Sequence, residues 1–160
     1  MAEQKKPQRQ TIEQERGRQA WANISSIKGR KMEKEYRALA RGFNAMVQIN
    51  GLGQTLGFLS AKSRDKKGVP DEETPHYHLL THLTNWMRNE THFKGHNVAL
   101  MHGKYDGLLQ WLLHETTSRA DYRHATTECL AFGSWLRRFA EAELQSKAPS
   151  KAQVEEKTGV

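Results

Sequence analysis

The stretch Asn50-Gly-Leu-Gly-Gln-Thr-Leu-Gly-Phe-Leu59 decides how this chain is read. Asparagine and glycine both tolerate a left-handed backbone, so Asn50-Gly51 predicts the end of one helix. Leu52, Leu56 and Leu59 then repeat at helical spacing and predict another, short helix inside residues 52–63. Gly57 costs that helix about 1 kcal/mol against alanine, and its expected use is close approach by a neighbouring helix. The glycines superficially resemble a dinucleotide-binding loop. Their spacing is wrong, and a helix precedes them where a strand is needed.

Upstream, Tyr36, Leu39, Ala40, Phe43, Met46 and Val47 define the core face of a helix over about 32–48. A first helix is expected over about 11–28, with Thr11 as N-cap and Ile12, Ala20, Trp21, Ile24 and Ile27 inside. Charges, Gly68 and two prolines predict a surface loop over residues 63–75. Leu79, Leu80, Leu83, Trp86 and Met87 mark a helix over 74–93. Leu108, Leu109, Trp111, Leu112 and Leu113 mark another over 105–117. Tyr122, Leu130, Phe132, Leu136, Phe139 and Leu144 mark a long last one over 119–145. No period-2 segment of convincing length occurs. The expected fold is all-α, a compact bundle of about six helices.

The 160 residues predict one domain. A flexible arm is expected over residues 1–10, a single helical-bundle domain over 11–145 and a disordered tail over 146–160. One cysteine, Cys129, excludes an internal disulfide and reads as a small buried apolar residue. No apolar run reaches the length of a membrane helix, and no secretory signal stands at the start. The expected location is cytoplasmic.

The formal net charge is +7, which favours a polyanionic partner. Arg30, Lys34, Arg37 and Arg41 are spaced 4, 3 and 4, so they fall within about 60° on one helical face. The apolar face lies opposite, so the stripe should point outward and track phosphates without reading bases. Arg119, Arg123 and Arg137 on the last helix are further candidates; Arg137 and Arg138 offer the alternative of salt bridges with Glu141 or with a partner subunit. A solvated face is the plain alternative for the stripe.

His78 and His82, and His92 and His96, stand at i, i+4, with His76 beside the first pair. The first pair lacks the glutamate of zinc peptidases, and no cysteine pair or acidic cluster completes a site. The histidines are expected to be exposed or partner-facing. No metal site, no cofactor and no catalytic residue is expected. Trp21, Trp86, Trp111 and Trp135 all follow apolar periodicity and read as core anchors; an exposed one would reopen base stacking.

A second block, Tyr122-Arg-His-Ala-Thr-Thr-Glu-Cys-Leu-Ala-Phe-Gly-Ser-Trp-Leu-Arg-Arg-Phe-Ala-Glu-Ala-Glu-Leu144, completes the pattern. Together with the Asn50 block it resembles the small helical subunit of the type III-B CRISPR (Cmr, RAMP-module) effector complex. The likeness covers residues 36–60 and 105–145, with a weaker match around 79–87. Gly57 and Gly133 depart from it where alanine or a larger apolar residue is expected. Asn44 stands in place of a proline, and the histidine-rich region 76–102 is not typical.

The resemblance implies a non-catalytic small subunit. It implies several copies stacked beside a RAMP-fold backbone that carries the guide RNA, with the guide–target duplex between the two rows. Implied partners are the other Cmr subunits, the RAMP backbone subunit above all, copies of this chain, CRISPR guide RNA and target RNA. Target cleavage would belong to the backbone subunit. A positive wall blind to sequence suffices for such a role, because base pairing chooses the target. The alternative reading is a helical protein-interaction module without RNA contact. A helix-turn-helix regulator is poorly supported, since the helix after the corner offers only Gln54, Thr55 and Lys62 to DNA.

Overall fold

Helical periodicity in the sequence becomes six α-helices among the described residues of the computed structural model: α1 (Gln8–Ile27), α2 (Glu33–Asn50), α3 (Leu52–Lys62), α4 (Pro75–Asn89), α5 (Gly107–Leu113) and α6 (Arg119–Glu143). A 3-10 turn, Val98–Met101, precedes α5. The structure describes residues 8–89 and 98–146, and there is no strand among them. The expected arm is helical from Gln8, so Thr11 lies inside α1 rather than capping it. Residues 1–7, the His92–His96 pair and residues 147–160 of the expected tail lie outside the described residues.

α6 is the spine. α1 and α2 pack along its two sides, and α4 also contacts it. Contacts fix the directions. Arg16 meets Glu128, Trp21 meets Phe139 and Lys28 meets Glu143, so α1 runs parallel to α6. Glu33 meets Gln145 and Asn44 meets Ser134, so α2 runs antiparallel to it, and Gly53 at the start of α3 meets Tyr122.

The core takes the expected faces. Tyr36, Ala40, Phe43 and Val47 of α2, and Leu52, Leu56 and Leu59 of α3, are buried. Trp111 is fully buried, and Trp86 stacks on Phe132 with ring centroids 4.9 Å apart. Cys129 is buried as expected, and burial pushes its thiol well above the ordinary range. Such a thiol is inert.

Some burial expectations fail. Trp21 is 47% exposed. Leu113 is exposed because α5 ends there and buries Leu108, Trp111 and Leu112 instead. His82 is buried, not exposed. Its Nδ1 lies 2.7 Å from the Tyr36 hydroxyl, and burial pulls its pKa down to about 3.

The corner depends on Gly51. Its φ of 84° and ψ of 161° lie in a region essentially restricted to glycine, while Asn50 stays helical. Its N–H donates to the Val47 carbonyl at 2.8 Å, and its carbonyl accepts from the Thr55 hydroxyl at 2.9 Å. Gly57 has nothing within 4 Å of the place a Cβ would occupy, so it serves no close approach. Gly133 does: a Cβ there would strike Asn44 Oδ1 and the Phe43 ring.

Candidate nucleic-acid interface

Arg37 and Arg41 each follow a core residue, Tyr36 and Ala40, by one position. A step of about 100° carries them from the core to the flank beside α6, not to the opposite side. This corrects the outward-pointing stripe. Arg30 is not in α2 at all. It stands in the α1–α2 turn, 3.1 Å from His78 Nε2, which is itself 2.7 Å from the Glu72 carbonyl oxygen. Burial leads the depression of the His78 pKa, so the ring is neutral beside Arg30. Lys34 is exposed on α2.

On α6, Arg119, Arg123 and Arg137 fall within about 40° of one another. Leu130 and Ser134, which Asn44 touches, lie on the same strip of the helix. The α6 arginines therefore lie on the strip of α6 that α2 follows. Arg137 and Arg119 are about 27 Å apart along the axis, at 1.5 Å per residue. Near the end of α6, Arg41 and Arg137 converge on one carboxylate, with Nε–Oε1 distances to Glu141 of 3.1 and 3.2 Å. The salt bridge offered as the alternative for Arg137 is therefore present. Arg41 and Arg137 still keep about half of their side-chain surface in water.

The other cations are freer. Lys34, Arg119 and Arg123 are exposed and form no ion pair among the described residues. Arg37 is half-buried, and its Nε is shielded from water without an acceptor. The structure thus brings Arg41 and Arg137 together on Glu141, with Arg37 one turn from Arg41 on α2 and Arg119 and Arg123 further along the same strip of α6. It leaves Arg30 on the α4 side.

Asn44 closes the seam. Its Nδ2 donates to the Leu130 carbonyl at 3.1 Å and the Ser134 hydroxyl at 3.0 Å. It does so in the space Gly133 leaves open. Two departures from the family pattern, Asn44 and Gly133, are therefore one feature seen from two helices. The sequence carried that signal only as two separate oddities.

The sequence reading also missed the charges on the other side of α6. Arg16 makes a bidentate pair with buried Glu128 at 2.8 and 2.7 Å, and Trp86 Nε1 donates to the same carboxylate at 3.0 Å. Glu33, next to Lys34 of the basic stripe, is buried. It accepts the Gly29 N–H at 3.3 Å and the Gln145 N–H at 3.2 Å.

No group of three or more metal-ligating side chains occurs among the described residues. No helix there is long and apolar enough to cross a membrane. What the α2–α6 seam offers is an elongated positive edge held by backbone-defined helices. Such an edge suits phosphates.

The family model for CRISPR-associated protein Cas_Cmr5 matches residues 12–143. The chain belongs to the Cmr5 family. It is a small, non-catalytic subunit of the type III-B CRISPR Cmr complex, and the family implies the other Cmr subunits as its partners. The crystal structure of a CRISPR-associated Cmr5 family protein from Thermus thermophilus is similar in fold, with a TM-score of 0.60. It shares 21% identity, over 83% of this chain and 97% of that one. At that identity the likeness speaks for the Cmr5 fold alone.

Proposed function

We propose that this Cmr5-family subunit stacks in several copies beside the RAMP backbone in the cytoplasm and holds the guide–target RNA duplex through contacts blind to sequence. Arg37, Arg41 and Arg137 form the centre of the contact, Lys34, Arg119 and Arg123 extend it, and Arg30 contributes from the far side of α2. The observation that carries this reading is the charge imbalance of the seam. Two arginines share the single Glu141 carboxylate, and their neighbours have no acid partner among the described residues. Phosphates supply the missing negative charge without requiring any base to be read.

The test is target-RNA binding by the reassembled complex over a range of salt, with Arg37→Gln and Arg41→Gln combined. Affinity should fall. The log–log salt slope should flatten by about 0.7 for each single-strand phosphate that is no longer neutralised. An unchanged slope with normal assembly rules the seam out. Loss of assembly with an unchanged salt slope for the RNA bound by residual complex assigns the seam to a protein neighbour.

A further inference from the structure

A second surface lies on the other side of α6. Gly17 of α1 carries no Cβ, and the six-membered ring of Trp135 lies where one would make contact at 3.3–3.4 Å. The indole is thereby pressed close to the α1 backbone. It lines an open groove of about 480 Å³ with Glu13, Arg16, Ala131, Ser134 and Arg138. Phe139 continues the aromatic surface, tilted against Trp135 at 5.6 Å and met edge-on by Trp21 at 5.1 Å. Trp21 is the exposed tryptophan that the sequence did not foresee.

The groove has an aromatic floor and charged walls. Arg16 is committed to Glu128, whereas Arg138 is exposed and has no ion pair among the described residues. An aliphatic anchor from a protein would desolvate Arg138 and Glu13 without satisfying either. A nucleobase fits both parts. Its π-face stacks on the indole, its polar edge can donate to the Glu13 carboxylate, and the attached phosphate meets Arg138. Ser134 joins this groove to the basic seam, since it lines the groove and accepts a hydrogen bond from Asn44. The two surfaces therefore adjoin at Ser134.

We propose that the Trp135 groove takes an unpaired base of the RNA whose phosphates run along the α2–α6 seam, with Trp135 as stacking floor and Arg138 as phosphate partner. This rests on the phosphate-binding reading of the seam and names what lies beside it.

The full chain is titrated against two labelled strands of equal length, an oligoadenylate and an abasic ribose-phosphate strand. Anisotropy is read at low salt, up to roughly millimolar protein, the weak end expected of non-specific binding. The oligoadenylate should bind about 5- to 150-fold tighter, the range of one stacked base. Trp135→Leu should abolish that preference and leave abasic binding unchanged. Arg138→Gln should weaken both strands alike. Trp21→Ala, at an exposed position, should fold normally and reduce the preference in part; it carries the test if Trp135→Leu fails to fold.

Equal affinity of the unaltered chain for both strands overturns the base contact and leaves the seam standing. A preference that survives Trp135→Leu in folded protein overturns the groove as its site. Unchanged RNA binding by that variant, with loss of assembly with the other subunits, makes the surface a protein interface instead. No binding of either strand overturns this proposal, while the salt test on the reassembled complex still decides the phosphate reading of the seam.

Discussion

On the α1 side of α6, one buried carboxylate, Glu128, meets one arginine and one indole N–H. On the α2 side, one half-exposed carboxylate, Glu141, is shared by two arginines. The ingredients are the same, yet the settings separate their roles. Glu128 is taken out of water, so every lone pair must find a donor, and the pair specifies how α1, α4 and α6 fit together. Glu141 stays hydrated, so its bridges add little to stability and leave positive charge for a partner.

The largest break in this contrast should come from Glu128→Ala. Arg16 and the Trp86 N–H would both lose their acceptor, costing about 3 kcal/mol in urea unfolding, as for other broken buried pairs. Burial alone would raise the Glu128 carboxyl pKa, but the Arg16 hydrogen bonds and charge, with Trp86, hold it below the usual value. A depressed carboxylate stabilises the fold above its unfolded pKa. That stability is lost as pH falls from about 4.5 through the folded pKa. Glu128→Gln should therefore flatten the acid limb of a stability–pH profile.

Gly133→Ala comes next. The added methyl would drive against Asn44 and Phe43, an overpacking worth about 1–3 kcal/mol in thermal or urea unfolding. Adding Asn44→Ala should return part of that loss, so the pair should be non-additive in a double-mutant cycle. Simple additivity would separate the two residues that the structure joins.

His82 titrates in a different window. Its folded pKa is depressed from 6.5 to about 3, so the unfolded chain binds the proton first as pH falls. Stability should decline from pH 6.5 downward, by about 2 kcal/mol at pH 5 from this group alone. In His82→Phe most of that slope between pH 6.5 and 5 should disappear, leaving the share of His76 and His78, whose pKa values burial also lowers. An undiminished slope would assign the acid sensitivity to another group.

The smallest stability effect should come from Arg41→Gln with Arg137→Gln. Exposed pairs contribute about 0–1 kcal/mol, so thermal unfolding should hardly move while RNA binding by the complex weakens. A large loss of stability would make the α2 seam structural after all and erase the difference between the two sides of α6.

Much of this architecture was legible in the chain itself. The 3.6-residue period of Tyr36, Ala40, Phe43 and Val47, and of Leu52, Leu56 and Leu59, set the faces of α2 and α3. Gly51 marked the corner because its backbone conformation is closed to residues with a side chain. The two family blocks identified the subunit. The candidate site was legible only as a set of basic residues, because periodicity gives an angle about one helix and says nothing of its neighbours. Arg37 and Arg41 could thus be placed on one side of α2, but not beside Glu141 and Arg137, which lie about a hundred positions along the chain. Tertiary packing alone decided that Glu128 is buried and Glu141 wet, that His82 is dry and Trp21 exposed, and that Gly133 answers Asn44. Burial, ion pairing and steric fit depend on which surfaces meet across distant helices, and local sequence fixes only the surfaces each helix can present.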